Sequence, residues 1–195
     1  MNKIIRPFLL LATAALLATT AAFGQAAPTG NAVLLDRSTP EPDKPWRHQL
    51  FQNDINLDPA ANYVVIFWAK ASAATHLSIS TKNSTTPWAF FGLRENIAIG
   101  TTWQRYQLPF SAAKAIPGHS RLTFAFGSKD AVKIWIADVA IQLAGRDQAK
   151  DNLVRDGRFA KGLDEWYTEG RQAGVFDVEV RSVSGVDAEA APAGK

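Results

Sequence analysis

Tyr63-Val64-Val65-Ile66-Phe67-Trp68-Ala69-Lys70-Ala71, followed after a short gap by His76-Leu77-Ser78-Ile79-Ser80-Thr81-Lys82, is the stretch that sets the fold class. The first run is apolar on both faces for most of its length, as in a central strand covered on both sides. The second alternates. Leu77, Ile79 and Thr81 fall on one side and Ser78, Ser80 and Lys82 on the other, the pattern of a half-buried strand. Upstream, residues 46–52 form a candidate strand that ends in the turn chemistry of Asp58-Pro59 and Asn62. Downstream, residues 89–95, 103–110, 121–127 and 132–142 continue the series, with Leu122, Phe124 and Phe126 sharing a face. The alternation Val132, Ile134, Ile136 slips at Asp138-Val139, which predicts a bulge. No part of residues 46–142 sustains a 3.6-residue apolar period. Seven short strands at this spacing predict an all-β sandwich or jelly roll, because a parallel sheet requires helical crossovers.

Composition agrees. The 195 residues are 47% hydrophobic and 20% charged, with no Cys and three His. That excludes a disulfide scaffold, thiol nucleophiles and zinc–thiolate sites, and leaves few ligands for a transition metal. Met1 to Arg6 carries Lys3 and Arg6, and an uncharged Leu/Ala/Thr run extends to Gly24, as in a secretory signal peptide. Cleavage there lowers the formal charge from +3 to +1, which removes the electrostatic case for nucleic acid or anionic lipid. A secreted or periplasmic location is expected, with no membrane association after cleavage. The expected organisation is a signal at 1–24, an N-terminal lead at 25–43, a sandwich at 44–146, a further unit at 147–185 containing a strand over 175–183, and a frayed tail at 186–195.

The series Trp46…Gln49, residues 63–71, Trp103-Gln104-Arg105-Tyr106…Phe110 and Ile134-Trp135-Ile136-Ala137-Asp138-Val139 resembles the family 4/9/22 carbohydrate-binding modules. The resemblance implies a jelly roll of the galactose-binding-domain-like kind that accompanies secreted glycosidases and binds polysaccharide without catalysis. The family's opening segment is missing before residue 44. Its counterpart is Asn152-Leu153-Val154-Arg155-Asp156-Gly157-Arg158-Phe159-Ala160-Lys161-Gly162-Leu163-Asp164-Glu165-Trp166. This segment either starts a second repeat or supplies edge strands to the first domain. A 44-residue fragment could hardly bury a core of its own, which favours completion.

Sugars present polar rims and apolar faces, so aromatic side chains with hydrogen-bonding neighbours are the binding candidates. Trp68 and Trp135 lie mid-strand and Trp88 lies in a loop beside Pro87; Gln49, Arg94 and Arg105 are the polar candidates. Trp46, Trp103 and Trp166 stand at positions that usually pack the core in this family. Relatives often hold a structural calcium through a Glu after the Phe of the opening segment and an Asp in the last strand. Here Ala160 replaces the Glu, and Asp138 is the one remaining metal candidate, against a plainer role in holding the bulge. Adjacent Asp164-Glu165 do not make the spaced carboxylate pair of a glycosidase, and no hydrolase or nucleotide motif occurs. The expected function is polysaccharide binding through aromatic stacking in a groove. An adhesion sandwich without sugar binding and, less favoured, a glycosidase are the alternatives.

Overall fold

The computed structural model describes residues 26–37, 39, 48–126, 131–146, 151–171 and 176–190, so the expected signal at 1–24, Trp46 and the tail beyond residue 190 lie outside the described residues. The described elements are β1 (Asn31–Arg37), β2 (Gln49–Ile55), β3 (Asn62–Ala71), β4 (Thr75–Asn83), β5 (Phe90–Ile99), β6 (Gln104–Ser111), β7 (Ser120–Ala125), β8 (Val132–Leu143), β9 (Tyr167–Glu169), β10 (Phe176–Ser182) and α1 (Val183–Ala190). They form two five-stranded sheets, in the orders β10-β1-β8-β3-β6 and β5-β4-β7-β2-β9, with every pairing antiparallel. The architecture is the all-β sandwich that the alternating strands imply.

Inward side chains of both sheets make one core. Val65, Phe67, Ile134 and Ile136 of the first sheet face Leu50, Ile79, Leu122 and Phe124 of the second, all fully buried. Phe67 meets Phe124 edge-on across the layer, with ring centroids 5.2 Å apart. The register of β3 against β8 shifts between Ile66 and Trp68, where Asp138 adopts a φ of 49°. The slip in apolar alternation therefore marks a real bulge.

Two elements differ from the sequence reading. The lead contains β1, which lies between β10 and β8 with Ala32, Val33, Leu34 and Leu35 fully buried. Four consecutive apolar residues do not alternate, because this strand is covered on both faces. The expected frayed tail begins instead as α1, whose Val183 and Val186 pack against Ala32, Leu34, Trp135 and Ala137 on the outer face of the first sheet. Eight residues with Gly185 among them make a weak helix in isolation, so tertiary packing holds it.

Residues 152–182 are tied into both sheets. β9 pairs with β2 and β10 with β1, and Phe159, Trp166 and Phe176 enter the core. Buried Gln52 reads this segment's backbone. Its Nε2 donates to the carbonyls of Arg155 (2.8 Å) and Glu165 (3.0 Å), and its Oε1 accepts from the Arg155 N–H at 2.8 Å. Asn152 accepts from the Ile141 N–H and donates to the Val139 carbonyl. Gly157 lies so close to β8 that a Cβ would stand 1.9 Å from the Val139 oxygen. Any side chain there would push the segment off the sheet.

Candidate functional site

Antiparallel register places partnered residues on the same side of a sheet, so the outer face of the second sheet reads in rows across its strands. One row is Arg94, Ser80, Thr123, Phe51 and Tyr167; the next is Asn96, Ser78, Ala125, Gln49 and Glu169. A third runs Phe90, Lys82, Arg121. In the first two rows small side chains (Ser78, Ser80, Thr123 and Ala125) stand in the middle and larger ones at the ends of this face. Five strands about 4.8 Å apart make it roughly 19 Å across, the scale of a short chain and not of one small ligand.

Aromatic rings stand at both ends. Trp88 is 47% exposed, Phe90 49% and Tyr167 53%, and among the described residues Ile116 is the one other large apolar side chain this open. Tyr167 stacks on Phe51 with ring centroids 5.5 Å apart and planes 18° from parallel. At the other end Lys82 Nζ lies 5.9 Å from the Trp88 ring and 5.8 Å from the Phe90 ring, and the Arg94 guanidinium sits 4.9 Å over Phe90. Trp88 has a φ of 59°, a left-handed conformation that disfavours a bulky residue.

Arg121 joins the two ends. It is buried in the floor, with its guanidinium 3.3 Å from the Phe51 centroid. Nη2 donates to Gln49 Oε1 at 2.8 Å and Nε to Thr123 Oγ1 at 3.1 Å, while the Glu169 carboxylate lies 3.8 Å away. Burial pulls its pKa down to about 10 against the opposing charge of Glu169, so it stays protonated at neutral pH. Lys82 is its partner in register; burial, and then the charge of Arg121, lower the Lys82 pKa.

No protein-family model matches the chain, and no curated relative does either. Solved structures do. The unliganded carbohydrate-binding module of PbXyn10C superposes with a TM-score of 0.60 at 18% identity, over 83% of this chain and 93% of that one. The chain has the fold of a carbohydrate-binding module. A CBM4 structure matches at 20% identity and a TM-score of 0.52, over 57% of this chain and 70% of that one. The N-terminal cellulose-binding domain of β-1,4-glucanase C from Cellulomonas fimi follows at 17% identity, over 60% and 81%, with a TM-score of 0.48.

The sequence-derived candidates of this module-like fold divide between two faces. Gln49, Trp88 and Arg94 come together on the second sheet. Trp68, Trp135 and Arg105 stand on the outer face of the first. There Trp135 is 5% exposed beneath α1, and Trp68, in register with Arg105, borders a separate cleft of about 660 Å³. Phe51, Phe90, Tyr167, Lys82 and Arg121 were not among the sequence candidates. The alternation of Arg121 and Thr123 against Leu122 and Phe124 already turns those two side chains outward from one strand, and Tyr167 directly follows a core Trp.

The residues around Asp138 do not fit a calcium site. Arg158 Nε lies 3.5 Å from Asp138 Oδ1, and both oxygens of Asp156 are taken by the N–H groups of Ala160 and Lys161. Among the described residues no three His, Asp or Glu side chains gather in a way that could hold a metal. Calcium takes six to eight oxygens, whereas here one carboxylate faces a guanidinium. Burial raises the Asp138 pKa, and the charge of exposed Arg158 opposes that shift. In the three outward rows of the second sheet, Glu169 is the single carboxylate, and Glu165 is engaged by Arg155 at 2.9 Å. Acid–base hydrolysis of a glycosidic bond requires two carboxyl groups across the substrate.

Proposed function

We propose that the chain is a secreted, non-catalytic polysaccharide-binding module and that the outer face of its second sheet is the site. The carrying observation is that exposed Trp88 and Phe90 stand at one end and exposed Tyr167 at the other end of a face that carries amide, hydroxyl and guanidinium groups between them. Burying about 100 Å² of ring surface against a pyranose stabilises the complex by roughly 2.5 kcal/mol per ring before ordering costs. Gln49, Asn96 and the Ser78 hydroxyl, which donates to Asn96 Oδ1 at 3.1 Å, offer the edge contacts that such rings lack. Fold likeness to carbohydrate-binding modules supports the reading. The leader-like residues 1–24 support secretion.

Affinity electrophoresis against cellulose, xylan, β-1,3-glucan, mannan and acidic polysaccharides tests the proposal. Retardation by at least one polymer, lost in Tyr167→Ala and Trp88→Ala proteins that melt normally, is the expected result. A folded protein retarded by none of them would leave the adhesion reading instead. Release of reducing sugar from any of these polymers would overturn the non-catalytic assignment.

A further inference from the structure

Polysaccharides divide into neutral and acidic chains, and the charges on the outer face of the second sheet bear on which kind it takes. The three outward rows present Lys82, Arg94 and Arg121 against one carboxylate, Glu169, with His76 at the end of β4; exposed Asp54 of β2 and Glu95 of β5 belong to the same sheet but lie outside those rows. Glu169 lies beside Arg121. Among the described residues neither Lys82 nor Arg94 has a carboxylate within 4.0 Å. On the outer face of the first sheet Arg105 also lacks a carboxylate within 4.0 Å among the described residues, but the other cations there are paired. Lys70, Lys133 and Arg158 each have an Asp partner, at 2.7, 3.7 and 3.5 Å.

The spacing of two of these cations adds to this. Lys82 and Arg121 are direct cross-strand partners, an arrangement in which like charges destabilise a sheet. Arg121 is held in place by Gln49 and Thr123, so the two charges cannot separate by its moving away. Fold stability alone would favour a neutral residue at one of the two positions. Glu169 offsets part of that repulsion, and a bound anion would offset more of it.

Lys82 and Arg94 also lie within cation–π distance of the exposed rings. A pyranose stacked on Trp88 or Phe90 would bring its edge substituents to these cations, and in a uronic acid the edge substituent is a carboxylate. The planar fork of Arg94 suits a carboxylate's two oxygens.

We infer that this face selects polysaccharides whose sugars carry carboxylates over their neutral counterparts, an inference that rests on the proposed polysaccharide site. Titration calorimetry of the full chain with two matched pairs tests it: polygalacturonate against its fully methyl-esterified form, and glucuronoxylan against unsubstituted xylan. In at least one pair the acidic member binds roughly tenfold more tightly at about 0.02 M salt, and the advantage shrinks at about 0.2 M. Lys82→Ala and Arg94→Ala each reduce that advantage roughly three- to fivefold while the protein melts normally. Equal affinity for acidic and neutral members, with clear binding of the neutral chain, overturns the inference and leaves the polysaccharide site standing. Binding of polyglutamate or dextran sulfate as tight as that of the uronate chain also overturns it, because charge alone would then suffice. A folded protein that binds none of these polymers removes the site and the inference together.

Discussion

The two outer faces of the sandwich are built from similar parts and end in opposite states. Each carries aromatic rings beside lysine. On the first sheet Lys70 is 4% exposed, with its Nζ 5.3 Å from the Trp103 ring and 5.4 Å from the Trp135 ring. Asp187 of α1 closes that assembly, accepting from Lys70 at 2.7 Å and from Trp103 Nε1 at 3.0 Å, while Val183 and Val186 cover Trp135. On the second sheet Lys82 sits near Trp88 and Phe90, and the rings stay exposed. An aromatic–cation group covered by its own chain serves stability. The same group left uncovered is available to another molecule.

The largest expected effect removes what distinguishes the faces. Deleting residues 151–195 takes away β9, β10 and α1 together with Phe159, Trp166 and Phe176 from the core. It also leaves β1 as an unpaired edge. The remainder should aggregate or lose cooperative melting in differential scanning calorimetry. An unchanged melting temperature would instead mean that the segment is a separate unit that merely rests on the sandwich.

Next in size are the indoles of the covered face. Trp135→Ala should cost about 3–5 kcal/mol in urea unfolding, as for a large core ring, with little change in polysaccharide affinity. On the open face the effects should be inverted. Tyr167→Ala and Trp88→Ala should each weaken polysaccharide binding by about 2 kcal/mol, roughly thirtyfold, with melting temperatures nearly unchanged. Trp68→Ala sharpens the contrast, because Trp68 is partly buried on the first sheet beside Arg105. Loss of affinity in Trp68→Ala, with Tyr167→Ala silent, would move the site to the first sheet and break the comparison.

The alternation of residues 76–82 and 121–126 made the half-buried strands legible, and the slip at Asp138-Val139 located the bulge. β1 was not legible in the same way, since a four-residue apolar run has no period from which to infer a strand. The site was half legible. Gln49, Trp88 and Arg94 share the open face, yet Trp68 and Trp135 look equally available in sequence. Burial of the Trp135 indole depends on α1, whose local sequence offers little helix propensity and whose bonds to Trp103 and Lys70 span 84 and 117 residues of chain. Phe51 and Tyr167 had the reverse difficulty. Each neighbours a core residue, Leu50 or Trp166, and strand geometry alone turns it outward.

The smallest effect concerns the clasp that keeps the first face covered. The hydrogen bond from Lys70, and then that from Trp103, hold the Asp187 carboxyl below its ordinary pKa of 3.8 against the partial desolvation that would raise it. A carboxyl whose pKa is lower in the folded state adds stability above its unfolded pKa and loses that contribution as pH falls through the folded value. Docking of α1 should therefore be complete near neutrality and weaken below pH 3.8. Asp187 is half exposed, so solvent screening keeps its contribution to about 1 kcal/mol or less. Asp187→Asn retains an oxygen that can accept from both Lys70 and Trp103, and should flatten the acid-dependent change in Trp103 and Trp135 fluorescence without altering polysaccharide affinity. An affinity change of the same size as the fluorescence change would show that the two faces are coupled through the core, and that covering one of them sets the shape of the other.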